Sequence, residues 1–176
     1  AANPMALMPH NVQFDFYQGG GLDVAFLGLA ETSGNGDLNV SKFGSRLAGC
    51  GGFIDITQNA KKLVYCGTFT TKGLRTECRD GKLVILQEGS RKKFVRQVEH
   101  ITFSGRYAVE TGQPVLYVTE RAVFALRPEG MTLIEIAPGI DLQTQILDQM
   151  DFVPRIAEDL KLMDARIFRE EKMGLA

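Results

Sequence analysis

The chain has 176 residues, 44% of them hydrophobic, with 20 basic and 21 acidic side chains and a net charge of -1. That length suits one domain with a sizeable core, and the charge balance gives no electrostatic case for nucleic acid or for an anionic membrane surface. Cys50, Cys66 and Cys78 are an odd number without CxxC spacing, so neither a disulfide framework nor a zinc site is supported. No apolar run approaches the ~18 residues of a membrane span, and the start of the chain lacks a signal-peptide pattern. A cytoplasmic protein is the expectation.

Residues 1–13 hold two prolines and little period. A folded domain rarely opens this way unless something precedes it or packs over it, which suits the continuation of a longer chain. Phe14-Asp15-Phe16-Tyr17 reaches the flexible loop Gly19-Gly20-Gly21. The apolar run Leu22–Ala30 reads as a strand buried on both faces. Ser33-Gly34-Asn35-Gly36-Asp37 is a turn cluster; Leu38-Asn39-Val40 is a short extended piece, and 42–48 a loop of small residues.

That loop delivers the chain to Gly49-Cys50-Gly51-Gly52, followed at once by the apolar start of a short helix over Phe53–Ala60. Glycine there admits positive φ and close approach of another molecule. The free N–H groups of a helix start suit a developing negative charge. Spacing alone leaves open a plain turn, since glycine clusters are common in turns. Leu63–Phe69 is the next buried strand. Strand, glycine loop, helix and strand make a βαβ-type unit, hence an α/β fold with an open, mainly parallel sheet. In such sheets ligands sit beyond the strands' carboxyl ends. The glycine spacing matches neither GxGxxG nor the P-loop.

From Leu74 the pattern changes. Leu74–Arg79, Lys82–Gln87 and Phe94–Thr102 read as an appended antiparallel meander, with Asp80-Gly81 as a hairpin turn. Ser104–Gly112 is a helical turn or loop. Strands follow at 115–119, 122–126 and 131–136. Asp141 suits the N-cap of a helix over Leu142–Met150. Leu160, Met163 and Ile167 share one face of a C-terminal helix, placed at residues 157–171 of a single-domain fragment spanning 1–176.

Catalytic groups are sparse. His10 lies in the irregular start, and His100 reads as a solvated strand residue. No GxSxG elbow occurs, and no HExxH or paired cluster suggests a metal. Cys50 sits where a helix start would lower a thiol pKa, but a small filler between glycines explains it as well. Arg91-Lys92-Lys93 reads as three solvated charges. From the residues alone, the result is a glycine-lined α/β site without a clear nucleophile.

Five stretches in order carry a resemblance: Gly19-Gly20-Gly21-Leu22-Asp23-Val24-Ala25-Phe26-Leu27-Gly28, Gly36-Asp37-Leu38-Asn39-Val40, Gly49-Cys50-Gly51-Gly52-Phe53-Ile54-Asp55, Gly67-Thr68-Phe69-Thr70-Thr71-Lys72-Gly73 and Leu133-Ile134-Glu135-Ile136-Ala137-Pro138-Gly139. With these motifs the chain resembles the family I coenzyme A transferases, nearest to bacterial short-chain acyl-CoA:acetate or acetoacetate transferases with both halves fused. The resemblance implies a glutamate carboxylate that attacks an acyl-CoA and passes CoA to a carboxylic acid through a glutamyl-CoA thioester. The family's glutamate lies in an E-x-G motif before the first glycine turn, and residues 1–18 contain no glutamate. The expectation is therefore the C-terminal portion of the second half, without the nucleophile and without a role for Glu31 in its place.

By resemblance, Gly49, Gly51 and Gly52 form the oxyanion and CoA side of the site, while Gly19, Gly20, Gly21 and Asn39 line the pocket. Lys72 would meet a CoA phosphate, with Lys42 a weaker candidate. CoA and acyl-CoA enter as substrates, with no permanent cofactor and no metal. The implied partners are the acid, the rest of the transferase and further copies in a homo-oligomer, with no nucleic acid or membrane. The alternative is a non-catalytic CoA-binding or assembly module of the same fold.

Overall fold

The computed structural model describes residues 2–175. Helix α1 (His10–Gln18) precedes strand β1 (Ala25–Gly28), and two small ladders follow, β2 (Glu31–Thr32) with β3 (Leu38–Asn39) and β4 (Lys42–Phe43) with β5 (Arg46–Leu47). Helix α2 (Phe53–Gln58) leads to β6 (Leu63–Cys66) and β7 (Thr70–Thr71); the hairpin β8 (Arg75–Arg79) and β9 (Lys82–Gln87) comes next, then β10 (Arg91–Lys92), paired with β7. Helix α3 (Gly105–Thr111) opens the last part: β11 (Val115–Val118), β12 (Ala122–Arg127), β13 (Gly130–Ile136), helix α4 (Leu142–Gln145) and β14 (Arg155–Leu162).

Six strands form one sheet in the order β1-β6-β11-β12-β13-β14. β1, β6 and β11 run parallel, with α2 and α3 in their connections, and β13 and β14 are parallel too. β11-β12-β13 is an antiparallel meander inside that sheet. The expected α/β architecture therefore stands.

The sheet's centre is aromatic. Register sets Tyr65 of β6 beside Tyr117 of β11, their rings 5.4 Å apart, and Phe53 of α2 stacks on Tyr65 at 5.7 Å. Phe69, Phe94 and Phe124 form a second group, with Phe69 and Phe94 4.5 Å apart. All five of Tyr65, Tyr117, Phe69, Phe94 and Phe124 are fully buried. Local signals agree where they are strong. The Ser104 hydroxyl accepts from the Tyr107 N–H to cap α3, and Gly112 closes it at φ 68. Asp80 and Gly81 take φ of 53 and 74, the left-handed pair a tight hairpin requires. Asp141 caps α4 through the Thr144 N–H at 2.7 Å.

Phe14–Tyr17, where apolar and polar residues alternate in sequence, lies in helix α1. Three expectations are corrected. The strand within 22–30 is not buried on both faces: it is the four-residue edge strand β1, and Phe26 is 69% exposed. Phe94–Thr102 joins no ladder; isolated bridges from Phe94 to Thr32 and from Phe103 to Leu38 hold it, and Phe94 and Val98 are buried while Ile101 is exposed. The helix placed at 157–171 is instead strand β14 followed by a 3-10 turn over Ala165–Phe168. The free edge of β13 offered backbone partners that outweighed the helical spacing of Leu160, Met163 and Ile167.

The central tyrosines differ in one respect. The Tyr117 hydroxyl donates to the Gly36 carbonyl at 2.5 Å, whereas the buried Tyr65 hydroxyl has no partner. Tyr117→Phe should cost about 1–3 kcal/mol by orphaning that carbonyl, and Tyr65→Phe should be neutral or stabilising, because no bond is lost. Urea unfolding of the two variants checks the contrast.

Candidate active site

Two features lie beyond the carboxyl ends of the parallel strands: the glycine loop and a cationic cleft. The β4–β5 hairpin joins them. At its base the Ser41 carbonyl accepts the N–H groups of Ala48 and Gly49, at 2.8 and 3.0 Å. Ser41 is held in turn by the Asn39 side chain, by His100 Nδ1 at 2.7 Å and by Thr102 Oγ1 at 2.8 Å. The chain then turns through Gly49 and Gly51, at φ 78 and 53, and the Phe53 N–H closes back on the Cys50 carbonyl.

This leaves the N–H groups of Cys50, Gly51 and Gly52 without a protein acceptor among the described residues. A Cβ at Gly49 or Gly51 would meet nothing within 4 Å, so that face of the turn is open. At Gly52 a Cβ would fall 2.4 Å from the Phe14 ring; glycine there lets α1 close onto α2. Helix α2 is only six residues long. The free donors of the loop are the turn's own N–H groups rather than the end of a long helix.

The other glycine cluster sits elsewhere. Gly19, Gly20 and Gly21 cap the C-terminus of α1, their N–H groups donating to the carbonyls of Asp15, Tyr17 and Phe16. A Cβ on Gly20 would lie 3.4 Å from the Asn59 carbonyl, at the far end of α2 from Gly52. These glycines are helix punctuation and present no free donor. Asn39 is fully buried: its amide donates to Glu31 at 3.0 Å and to the Lys42 carbonyl at 2.6 Å, and its oxygen accepts from Ser41 and Lys42. It shapes the turn from within. Lys42 pairs with Glu99 at 3.3 Å.

Lys72 does reach a concave surface. A cleft of about 500 Å³ is lined by Leu29, Glu31, Phe43, Arg46, Lys72, Arg91 and Lys93, among others. Leu29 follows β1, and Lys93 Nζ reaches the level of Gly67, just past β6. Arg91 is committed to Glu31 at 3.0 Å and lies over the Phe43 ring at 5.8 Å. Arg46 and Lys72 are exposed at the rim. The basic run at 91–93 is thus not a solvated turn. It splits three ways, with Lys92 bonded to Asp151 and the Met150 carbonyl, and Lys93 only 7% exposed.

Sequence reasoning missed Lys93, and also Arg121, which it left in the turn between strands. Arg121 is fully buried. It donates to Glu120 and Glu88 at 2.6 Å each and to the Gln145 carbonyl at 3.0 Å, and its guanidinium lies 5.1 Å from the Phe69 ring centre. Glu120 also accepts the Phe69 N–H at 2.8 Å. Among the described residues no group of His, Cys, Asp or Glu could hold a metal ion, and no helix is long and apolar enough to cross a membrane.

In sequence and fold the chain is similar to coenzyme A transferases. It is 54% identical over 172 residues to the acetate CoA-transferase YdiF of Escherichia coli (strain K12), a match covering 98% of this chain and 32% of that protein. It is 55% identical over 178 residues to the caffeate CoA-transferase of Acetobacterium woodii, covering 98% of this chain and 34% of that one. The crystal structure of the E. coli O157:H7 acyl-CoA transferase YdiF, a thioester complex with CoA, superposes with a TM-score of 0.96 at 53% identity over 99% of this chain and 34% of that one. No protein-family model matches the chain. The chain spans about a third of the length of the curated relatives it matches.

Removing the buried guanidinium would strand two carboxylates. Arg121→Met should cost about 3–5 kcal/mol, read by chemical denaturation. Glu88 gives a pH signature. Burial opposes its charge, but Arg121, Thr70 and the Gly89 N–H outweigh burial and hold its pKa below the ordinary 4.5. Its contribution is therefore complete above the unfolded value and lost as pH falls through the folded one. Glu88→Gln should flatten the acid limb of a Tm-against-pH curve.

Proposed function

We propose that this chain is the glycine-loop side of an acyl-CoA:carboxylate CoA-transferase, completed by a segment that carries the nucleophilic glutamate. The observation that supports this best is the turn at 49–52, where the N–H groups of Cys50, Gly51 and Gly52 have no protein acceptor among the described residues and the Cβ positions of Gly49 and Gly51 are open. Free backbone donors of this kind suit an oxyanion. In the proposed reaction the glutamate carboxylate attacks the acyl-CoA carbonyl, and the C–S bond breaks to release CoA thiolate and leave an acyl-glutamyl anhydride. The thiolate then attacks the glutamyl carbonyl, which expels the donor acid and forms the glutamyl-CoA thioester. The acceptor acid runs the same steps backwards.

In each addition the thioester or anhydride oxygen gains negative charge, and the N–H groups of Gly51 and Gly52 stabilise it. Gly49 holds the turn instead, because its own N–H is taken by Ser41. Lys72, at the rim of the cleft, meets a CoA phosphate. The setting is a cytoplasmic homo-oligomer acting on short-chain acids in fatty-acid or ketone-body metabolism.

The test is CoA exchange between acetyl-CoA and a labelled acid, run with the chain alone and with the chain joined to the remainder of the enzyme. Exchange only in the joined protein is expected. CoA binding without exchange in either sample would instead establish a non-catalytic CoA-binding module. Within the joined protein, Gly51→Ala places a side chain at positive φ, a strain of about 1 kcal/mol, and should lower kcat roughly tenfold by tilting the donors. Global stability should change by no more than that strain.

A further inference from the structure

Lys93 is the one cleft residue whose position nothing in the fold explains. It is 7% exposed, yet its ammonium has no hydrogen bond or ion pair among the described residues. Its Nζ stands where a Cβ on Gly67 would lie, 2.8 Å away, so glycine at 67 is what leaves room for it. The backbone of Leu29 flanks the same spot, since a Cβ at Gly67 would also lie 2.9 Å from the Leu29 carbonyl. The ammonium is thus held between the ends of β1 and β6, at the floor of the cleft. Burial holds it below the ordinary lysine range, only partly offset by Glu120. The ammonium keeps some contact with the cleft, but a largely buried cation without a bonded partner is costly to a fold. A ligand anion would remove that cost.

The surroundings define which anion. Arg91 is occupied by Glu31 and Phe43. Arg46 and Lys72 are exposed at the rim, where ion pairing contributes little. The floor therefore offers a single positive charge. Among the polar and charged side chains that line the cleft, Leu29, Ala30 and Phe43 supply apolar surface. A dianionic phosphate would leave one buried negative charge uncompensated. A monoanion with a short apolar tail matches both the charge and the wall.

We propose that this cleft seats the carboxylate of a small organic acid, with the Lys93 ammonium donating to the carboxylate oxygens and Leu29 and Phe43 covering the acid's carbon chain. That the acid is the transferase's own carboxylic substrate rests on the reading given above. The seat itself does not, because it follows from Lys93 and the cleft.

The experiment is a titration of the chain with acetate, butyrate, acetamide and pyrophosphate, without CoA, following the Lys93 side-chain resonances by NMR. Lys93→Met and Lys93→Arg are titrated in parallel by calorimetry, and the Tm of each is recorded. Acetate and butyrate should shift the Lys93 signals saturably, butyrate at lower concentration, while acetamide does not. Lys93→Met should weaken carboxylate binding at least about tenfold, with Tm unchanged or higher because an unpaired buried charge has gone. Lys93→Arg should keep part of the binding. Three results would each overturn the proposal: saturable binding of pyrophosphate but not of carboxylates, equal carboxylate affinity in Lys93→Met, or a clear fall in Tm on that substitution, which would make Lys93 a structural residue. No CoA is present, so failure of the exchange assay would leave these results standing, and the converse holds as well.

Discussion

The buried guanidinium of Arg121 is the interaction on which the carboxyl end of the sheet depends. An arginine without solvent must satisfy its charge and its donors from the protein. It does so through Glu88, Glu120 and the Gln145 carbonyl, with the Phe69 ring beneath. Each partner fixes something else. Glu120 receives the Phe69 N–H and so sets the chain leaving β6. Glu88 bonds Thr70 and the Gly89 N–H, which anchors the β7–β10 ladder. That ladder carries Arg91 to the cleft and leads directly to Lys93. One buried cation is neutralised twice, and the second cation, Lys93, is left with a single distant carboxylate.

The glycine turn and the cleft are mechanically coupled through the β4–β5 hairpin. Asn39 and Ser41 pin its base, and the Ser41 carbonyl holds the entry to the turn. The hairpin itself carries Phe43 and Arg46 to the cleft. A backbone donor site and a side-chain cation site are thus positioned by one short element, and neither requires a long helix. In the proposed transfer reaction the two anions to be handled are a developing oxyanion and an acid's carboxylate. Rigid loops beyond a parallel sheet suit both, because the strands fix their bases while their tips stay accessible.

Much of this was legible in the chain. Asp80-Gly81, Ser104 with Gly112, and Asp141 are punctuation whose geometry depends on a few neighbouring atoms, so each was readable locally. The βαβ order from β1 through α2 to β6 followed from apolar runs and the glycine turn between them. The five motif stretches carried the transferase resemblance, which the relatives bear out over nearly the whole chain. Where spacing was ambiguous, pairing decided. The helical face of Leu160, Met163 and Ile167 pointed to a helix at 157–171, but Arg155–Leu162 became a strand because β13 had an unpaired edge beside it.

The sequence by itself determined the class of fold, the turns, and the glycine loop at 49–52 as the place to look for an anion seat. It did so because backbone dihedrals and apolar periodicity are local properties. Tertiary structure alone decided which glycines present donors and which merely end a helix, since that depends on where each N–H finds a carbonyl. It alone distinguished the three adjacent cations of 91–93, by giving Lys92 an aspartate, Arg91 a glutamate and Lys93 no bonded partner among the described residues. Burial and partnership are set by elements far apart in the chain, so the charge that matters most at the cleft floor could not be told from its neighbours before the sheet was assembled.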